Sequence, residues 1–183
     1  SDWNGILFWG SKKRYNVKRD PCGNVKKNSK QHNELQQLTI MKVAIIGAGS
    51  LGQSIAKGLL KNKVVKSLYL TKRNTSSITK FNDFSEVILT SNNEEAVKNS
   101  DILIFAVQPR HLENLLKNIK PLLNDNHVLI SVITGFSIAK IESIVGLHTY
   151  IIRSMPNTAA SVGQSMTCLS QNVKGKEKVA LAK

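Results

Sequence analysis

The chain is short of acids, cysteines, aromatics and long apolar runs, and each shortage removes a class of function. Only 12 acids stand against 26 lysines and arginines in 183 residues, a formal charge of +14. Such a surplus raises nucleic acid or an anionic membrane as partners, but its distribution argues against both. Residues 1–40 hold a basic cluster (Lys12, Lys13, Arg14, Lys18, Arg19, Lys26, Lys27, Lys30), whereas later lysines are scattered among acids. Aromatics make up 5% of the chain and form no stacking platform between basic residues, so no nucleic-acid partner is expected. No apolar run approaches the ~20 residues of a membrane span, and residues 6–9, Ile-Leu-Phe-Trp, are too short for a secretory core. The two cysteines, Cys22 and Cys168, lie far apart in no C-x-x-C or Cys/His pattern, which argues against a disulfide framework and a metal site. A reducing compartment, the cytoplasm, is the expected setting.

Residues 1–40 are polar and lysine-rich, with Asp20-Pro21-Cys22-Gly23-Asn24 as a turn cluster and no sustained period of 2 or 3.6. They are expected to be a disordered extension, dispensable for folding, with Met41 as the natural start; a transit peptide is the competing reading. From Met41 the pattern alternates. Strands are expected at 43–46, 67–70, 86–89, 101–107, 128–133 and 150–153, and helices after Gly52 and at 93–99, 111–123 and 137–145. Strands apolar on both faces belong to a parallel sheet covered on both sides. The expected fold is therefore α/β: a Rossmann-like, doubly wound, mostly parallel sheet over residues 41–171, with ligands at the carboxyl ends of its strands. Residues 172–183 read as the start of a further helix.

One stretch carries chemistry. Residues 43–46 form an apolar strand, Gly47, Gly49 and Gly52 follow at G-x-G-x-x-G spacing, and Leu51, Ile55, Ala56, Leu59 and Leu60 mark one face of a helix. Gly47 allows the tight turn, Gly49 lets the backbone approach a pyrophosphate, and Gly52 lets helix and strand pack closely. The anion would sit on unpaired amides at the positive end of the helix. Roughly 20 residues on, where an NAD site carries an acid for the ribose 2′-hydroxyl, stand Thr71, Lys72 and Arg73. Two cations and a hydroxyl suit a 2′-phosphate, so NADP(H) is favoured, with NAD(H) possible. The plainer alternative leaves Lys72 and Arg73 as solvated loop charges.

Two other strand ends align with the glycine turn, Ala106-Val107-Gln108-Pro109 and Ile133-Thr134-Gly135. With the segment from Arg153 through Met155-Pro156-Asn157-Thr158 to Met166-Thr167, they make residues 41–171 resemble pyrroline-5-carboxylate reductase. The resemblance implies NADPH-dependent reduction of 1-pyrroline-5-carboxylate to L-proline, in proline biosynthesis. It implies pyrophosphate binding by Ile46, Gly47, Ala48, Gly49, Ser50 and Leu51, 2′-phosphate binding by Thr71, Lys72 and Arg73, and a ribose contact at Asn93. Ala106 to Pro109 and Ile133 to Gly135 would line the nicotinamide half, with Met155, Pro156, Asn157 and Thr158 near the departing hydride. Gln108, Ala159 and Ser165 depart from the common lysine, proline and glycine of that pattern. In that family an all-helical carboxyl-terminal domain, absent from this chain, supplies the homo-oligomer interface and much of the substrate pocket. The catalytic groups are then expected outside this chain, and the fragment alone is expected to be inactive.

No residue here reads as a proton-transferring group. His32, His111, His127 and His148 are expected at the surface, and Ser50 and Thr134 lack the partners of a triad. Arg153 suits a structural or cofactor-edge role. Hydride transfer asks mainly for placement, so this lack does not oppose a reductase. The alternatives are a related imine or carbonyl reductase with another small substrate, or a dinucleotide-binding module without chemistry of its own.

Overall fold

The computed structural model describes residues 6–9, 41–156 and 165–182. Among these, eight strands form one sheet: β1 (Ile6–Trp9), β2 (Lys42–Ile46), β3 (Ser67–Thr71), β4 (Val87–Thr90), β5 (Ile102–Phe105), β6 (Val128–Ser131), β7 (Tyr150–Pro156) and β8 (Ser165–Gln171). The spatial order is β1-β8-β7-β6-β5-β2-β3-β4. β2 to β7 pair in parallel, with Val43 opposite both Leu68 and Ile102, whereas β8 is antiparallel to β7 and to β1. The chain winds outward from β2 to β4 and then returns to the other side of β2 as β5. The turns after β2 and β5 therefore diverge and leave a crevice at the carboxyl edge, the doubly wound Rossmann-like arrangement.

Alternation along the strands divides the interior into two cores. Val43, Ile45, Leu68 and Leu70 face one way and pack with Leu51, Ile55 and Leu59 of α1 (Ser50–Lys61). Ala44, Ile46, Leu103 and Phe105 face the other way, under α2 (Asn93–Lys98), α3 (Pro109–Ile119) and α4 (Ile138–Val145). Leu112, Leu115, Leu116 and Ile119 form the buried stripe of α3. Each such side chain contributes about 1.5–3 kcal/mol by leaving water.

Several elements differ from the sequence expectation, each for a local reason. α3 begins at Pro109 rather than 111, because proline at the first helical position has its φ preset and loses no hydrogen bond. It ends at Ile119 because Pro121 cannot donate, and the chain tightens into a 3₁₀ turn at Lys120–Leu122. Residues 174–182 form a 3₁₀ helix, and the weakly patterned stretch after β3 forms another, Thr75–Phe81. β5 and β6 stop short of residues 107 and 133, because the chain turns there into loops, the one after β5 lining the groove. β8 was unexpected; polar and apolar residues interleave too weakly over Ser165–Gln171 to announce a strand. In the stretch read as an extension, Ile6–Trp9 pairs with β8; the rest of residues 1–40 lies outside the described residues.

His127 corrects another expectation: it is buried, not at the surface. Its Nδ1 accepts from Asn124 N at 2.9 Å, which leaves the proton on Nε2 to donate to Val97 O at 3.2 Å. Both ring nitrogens are satisfied, so the ring is a strut between α2 and the start of β6. Asn172 is a second polar strut. Its Oδ1 accepts from Ile151 N and Gly175 N at 3.1 and 2.7 Å, and its Nδ2 donates to Glu142 Oε1 and Thr149 O at 2.8 and 3.0 Å. Through one side chain it ties the end of β8 to β7, α4 and the final 3₁₀ helix.

Candidate dinucleotide-binding site

The glycine turn spends its own polar groups internally. Gly47 N donates to Thr71 O at 3.2 Å and to Thr71 Oγ1 at 3.3 Å, Ala48 N to Thr71 O at 2.8 Å, and Gly49 N to Gly47 O at 2.8 Å. The first helical bond of α1 is Gln53 N to Gly49 O at 2.9 Å. The amides of Ser50, Leu51 and Gly52 therefore have no acceptor among the described residues. No side chain caps this helix and its first turn holds no acid. By contrast, Asn92 caps α2 by accepting from Glu94 N and Glu95 N, and Ser137 caps α4 through Lys140 N. An uncapped positive helix end at a crevice is a place for an external anion.

The three glycines do different work. Gly47 sits at φ +97°, and a Cβ there would lie 2.7 Å from Val107 Cγ1 and 2.9 Å from Ala106 O. At Gly52 a Cβ would lie 2.5 Å from Gly47 O, so only glycine lets α1 approach the turn this closely. A Cβ on Gly49 would meet nothing within 4 Å: it would project into open space. Two glycines close the turn, and the third leaves open space beside it.

A groove of about 850 Å³ runs across this edge. Gly47, Ala48 and Gly49 form one side, Thr71, Lys72 and Arg73 close the end of β3, and Ala106, Val107 and Gln108 form the wall beyond β5. Thr71 is 2% exposed, with its hydroxyl engaged by Gly47 N. Arg73 is exposed and Lys72 half-buried; the ion pairs among the described residues involve only Glu113, Lys117 and Lys140. Both cations remain available to the groove. Asn93 also lines it. Asn92 caps α2, and Asn93, the first residue of that helix, lies along the groove.

Other expected residues stand outside this groove. Ile46 is fully buried in β2, Pro109 opens α3, and Ile133 is buried beside exposed Thr134 and Gly135. Met155 and Pro156 end β7; Asn157 and Thr158 lie outside the described residues. Arg153 is half-buried with its Nε unbonded. Sequence reasoning missed His111, Leu115 and Asn118, which line the groove from one face of α3. Their spacing of four and three residues was the available signal, though Leu115 read as core. No group of three or more His, Cys, Asp or Glu side chains is arranged to hold a metal among the described residues, and no described helix is long and apolar enough to cross a membrane.

Comparison with known proteins gives this geometry relatives. A family model described as NADP oxidoreductase, coenzyme F420-dependent, matches residues 42–135. Pyrroline-5-carboxylate reductase 1 of Dictyostelium discoideum is 45% identical over 130 residues, covering 70% of this chain and 23% of the relative. The chain spans between 23% and 49% of the length of the curated relatives it matches. A pyrroline-5-carboxylate reductase from Coxiella burnetii superposes with a TM-score of 0.70 at 26% identity, over 76% of this chain and 54% of that one. The Plasmodium falciparum pyrroline carboxylate reductase with NADP bound gives 0.65 at 29% identity, over 79% and 53%. The chain thus belongs to the NADP oxidoreductase, coenzyme F420-dependent family and is similar to the amino-terminal part of pyrroline-5-carboxylate reductases.

Proposed function

We propose that this chain is the NADPH-binding part of a reductase that converts 1-pyrroline-5-carboxylate, a cyclic imine acid, to L-proline. The observation that carries the reading is one groove lined both by Gly49, the residue that leads into the uncapped start of α1, and by Lys72 and Arg73, where an NAD site would carry an acid. The donor set suits the cofactor: amides for the pyrophosphate, a guanidinium and an ammonium for the 2′-phosphate, and open space over Gly49 where a side chain would intrude. Bound NADPH would supply the hydride.

In this reading Ser50, Leu51 and Gly52 hold the pyrophosphate, and Asn93 takes the adenosine ribose. Ala106 to Pro109 and Ile133 to Gly135 flank the nicotinamide, and Met155 to Thr158 border the place where hydride leaves. Substrate identity rests on the likeness to reductases of that name. Further helical chain completes the substrate pocket and the homo-oligomer contacts, and NAD(H) binds more weakly. The cytoplasm remains the working compartment, on the two widely separated cysteines.

Fluorescence titration with NADPH and NADH tests the cofactor half; NADPH oxidation at saturating imine tests the rest. The 183-residue chain should bind NADPH more tightly but turn over poorly. The same chain joined to the helical domain of a relative should turn over well, because only then is the imine held against the nicotinamide. Equal affinity for both nucleotides, or full turnover by the bare chain, would refute the proposal.

A further inference from the structure

The glycine turn is gripped from two sides, and one grip comes from a residue outside the G-x-G-x-x-G pattern. Thr71 holds the amides of Gly47 and Ala48 from β3. From the opposite side, Gln53 Nε2 donates to Ala48 O at 3.1 Å in a partly buried bond. Gln53 is the fourth residue of α1. Helical side chains lean toward the amino terminus, so a side chain one turn in reaches back over the turn that precedes the helix.

We infer that Gln53 and Thr71 are positioning residues for pyrophosphate recognition, a clamp that fixes the Ala48–Gly49 peptide and thereby aims the amides of Ser50, Leu51 and Gly52. This inference rests on the NADPH reading above. Ala48 is fully buried, so its carbonyl oxygen would lack a partner without the Gln53 amide. The Gln53 amide proton occupies that oxygen and holds the peptide in one orientation. Thr71 completes the clamp: its carbonyl takes two amides, its hydroxyl accepts a further bond from one of them, and its burial at 2% exposure keeps the side chain from solvent. Thr71 is thereby reassigned from a phosphate ligand to the opposite jaw. The two residues act through the turn and do not touch the cofactor.

The test uses the full chain carrying Gln53→Met, which keeps length and helix propensity but cannot donate, and separately Thr71→Val, which keeps shape but loses the hydroxyl. Each is titrated with NADPH and with adenosine 2′-monophosphate, which has the 2′-phosphate but no pyrophosphate. Each variant should weaken NADPH about fivefold, the worth of one hydrogen bond, and leave binding of the monophosphate unchanged. A merely structural role would lower the melting temperature and leave NADPH affinity intact, which would overturn the inference. Equal weakening of both ligands by Thr71→Val would also overturn it, because that is the signature of a 2′-phosphate ligand. If the unsubstituted chain binds no NADPH, the cofactor reading itself fails; if it binds and both variants bind equally well, only the clamp is refuted.

Discussion

The same methyl group added at Gly47 and at Gly49 should have opposite consequences. In Gly47→Ala the new Cβ falls 2.7 Å from Val107 Cγ1 and 2.9 Å from Ala106 O and Val107 N, on a backbone at φ +97°. Two of those three neighbours are backbone atoms of the turn after β5 and cannot rotate aside. Strain at a positive φ costs about 1–3 kcal/mol, and overpacking costs a further ~1–3 kcal/mol. Their sum is a large part of the roughly 5–15 kcal/mol by which a domain is stable. A fall in melting temperature on the order of 10 °C follows. In Gly49→Ala the backbone stands at φ −75°, open to any residue, and the Cβ meets nothing within 4 Å. Stability should change by less than about 1 kcal/mol. The methyl instead projects into the groove, and the same overpacking of about 1–3 kcal/mol then appears in the complex, raising the Kd for NADPH roughly five- to 150-fold. Urea unfolding and NADPH fluorescence, run on both variants, separate the two effects. Native stability of Gly47→Ala, or undiminished NADPH binding by Gly49→Ala, would refute this account of the turn.

Lys72→Ala with Arg73→Ala should weaken NADPH binding by about 1.5–3 kcal/mol for each charge-assisted hydrogen bond removed and leave NADH nearly unaffected; equal weakening of both nucleotides in competitive titration would contradict a 2′-phosphate site. His127→Phe leaves Asn124 N and Val97 O without their partner. It should lower urea stability by about 2–5 kcal/mol, whereas the exposed His111→Phe should not. On α3 the Glu113 carboxyl is held below its ordinary 4.5, first by its hydrogen bond to Lys117, then by the charges of Lys117 and Lys140. A lowered folded value stabilises the fold above the unfolded value and loses that support as pH falls through the folded one. Glu113→Gln should therefore be slightly less stable than the unsubstituted chain at neutral pH, with the gap in urea midpoint closing below 4.5.

Much of the architecture was legible before any coordinates. The largely apolar runs at residues 101–107 and 128–133 implied a sheet covered on both faces, because a half-exposed strand would alternate with polar positions, and β5 and β6 are buried throughout, Ser131 included. The separate roles of Gly47 in the turn and Gly52 in close packing were also readable from their spacing. What the sequence concealed depended on partners distant along the chain. His127 looked like a surface residue because Val97, which accepts its proton, is 30 positions away. β8 had no strong period of its own and becomes a strand by pairing with β7. Asn92 caps α2, which only backbone geometry decides between two neighbouring asparagines, and Asn93 lines the groove. Local pattern determined most of the strands and helices and where the glycine turn lies, because hydrophobic period and glycine spacing act over a few residues. Tertiary structure decided which side chains meet there, Thr71 on the turn and His111 and Asn118 along the groove, because those meetings arise only when strands distant in the chain are brought edge to edge.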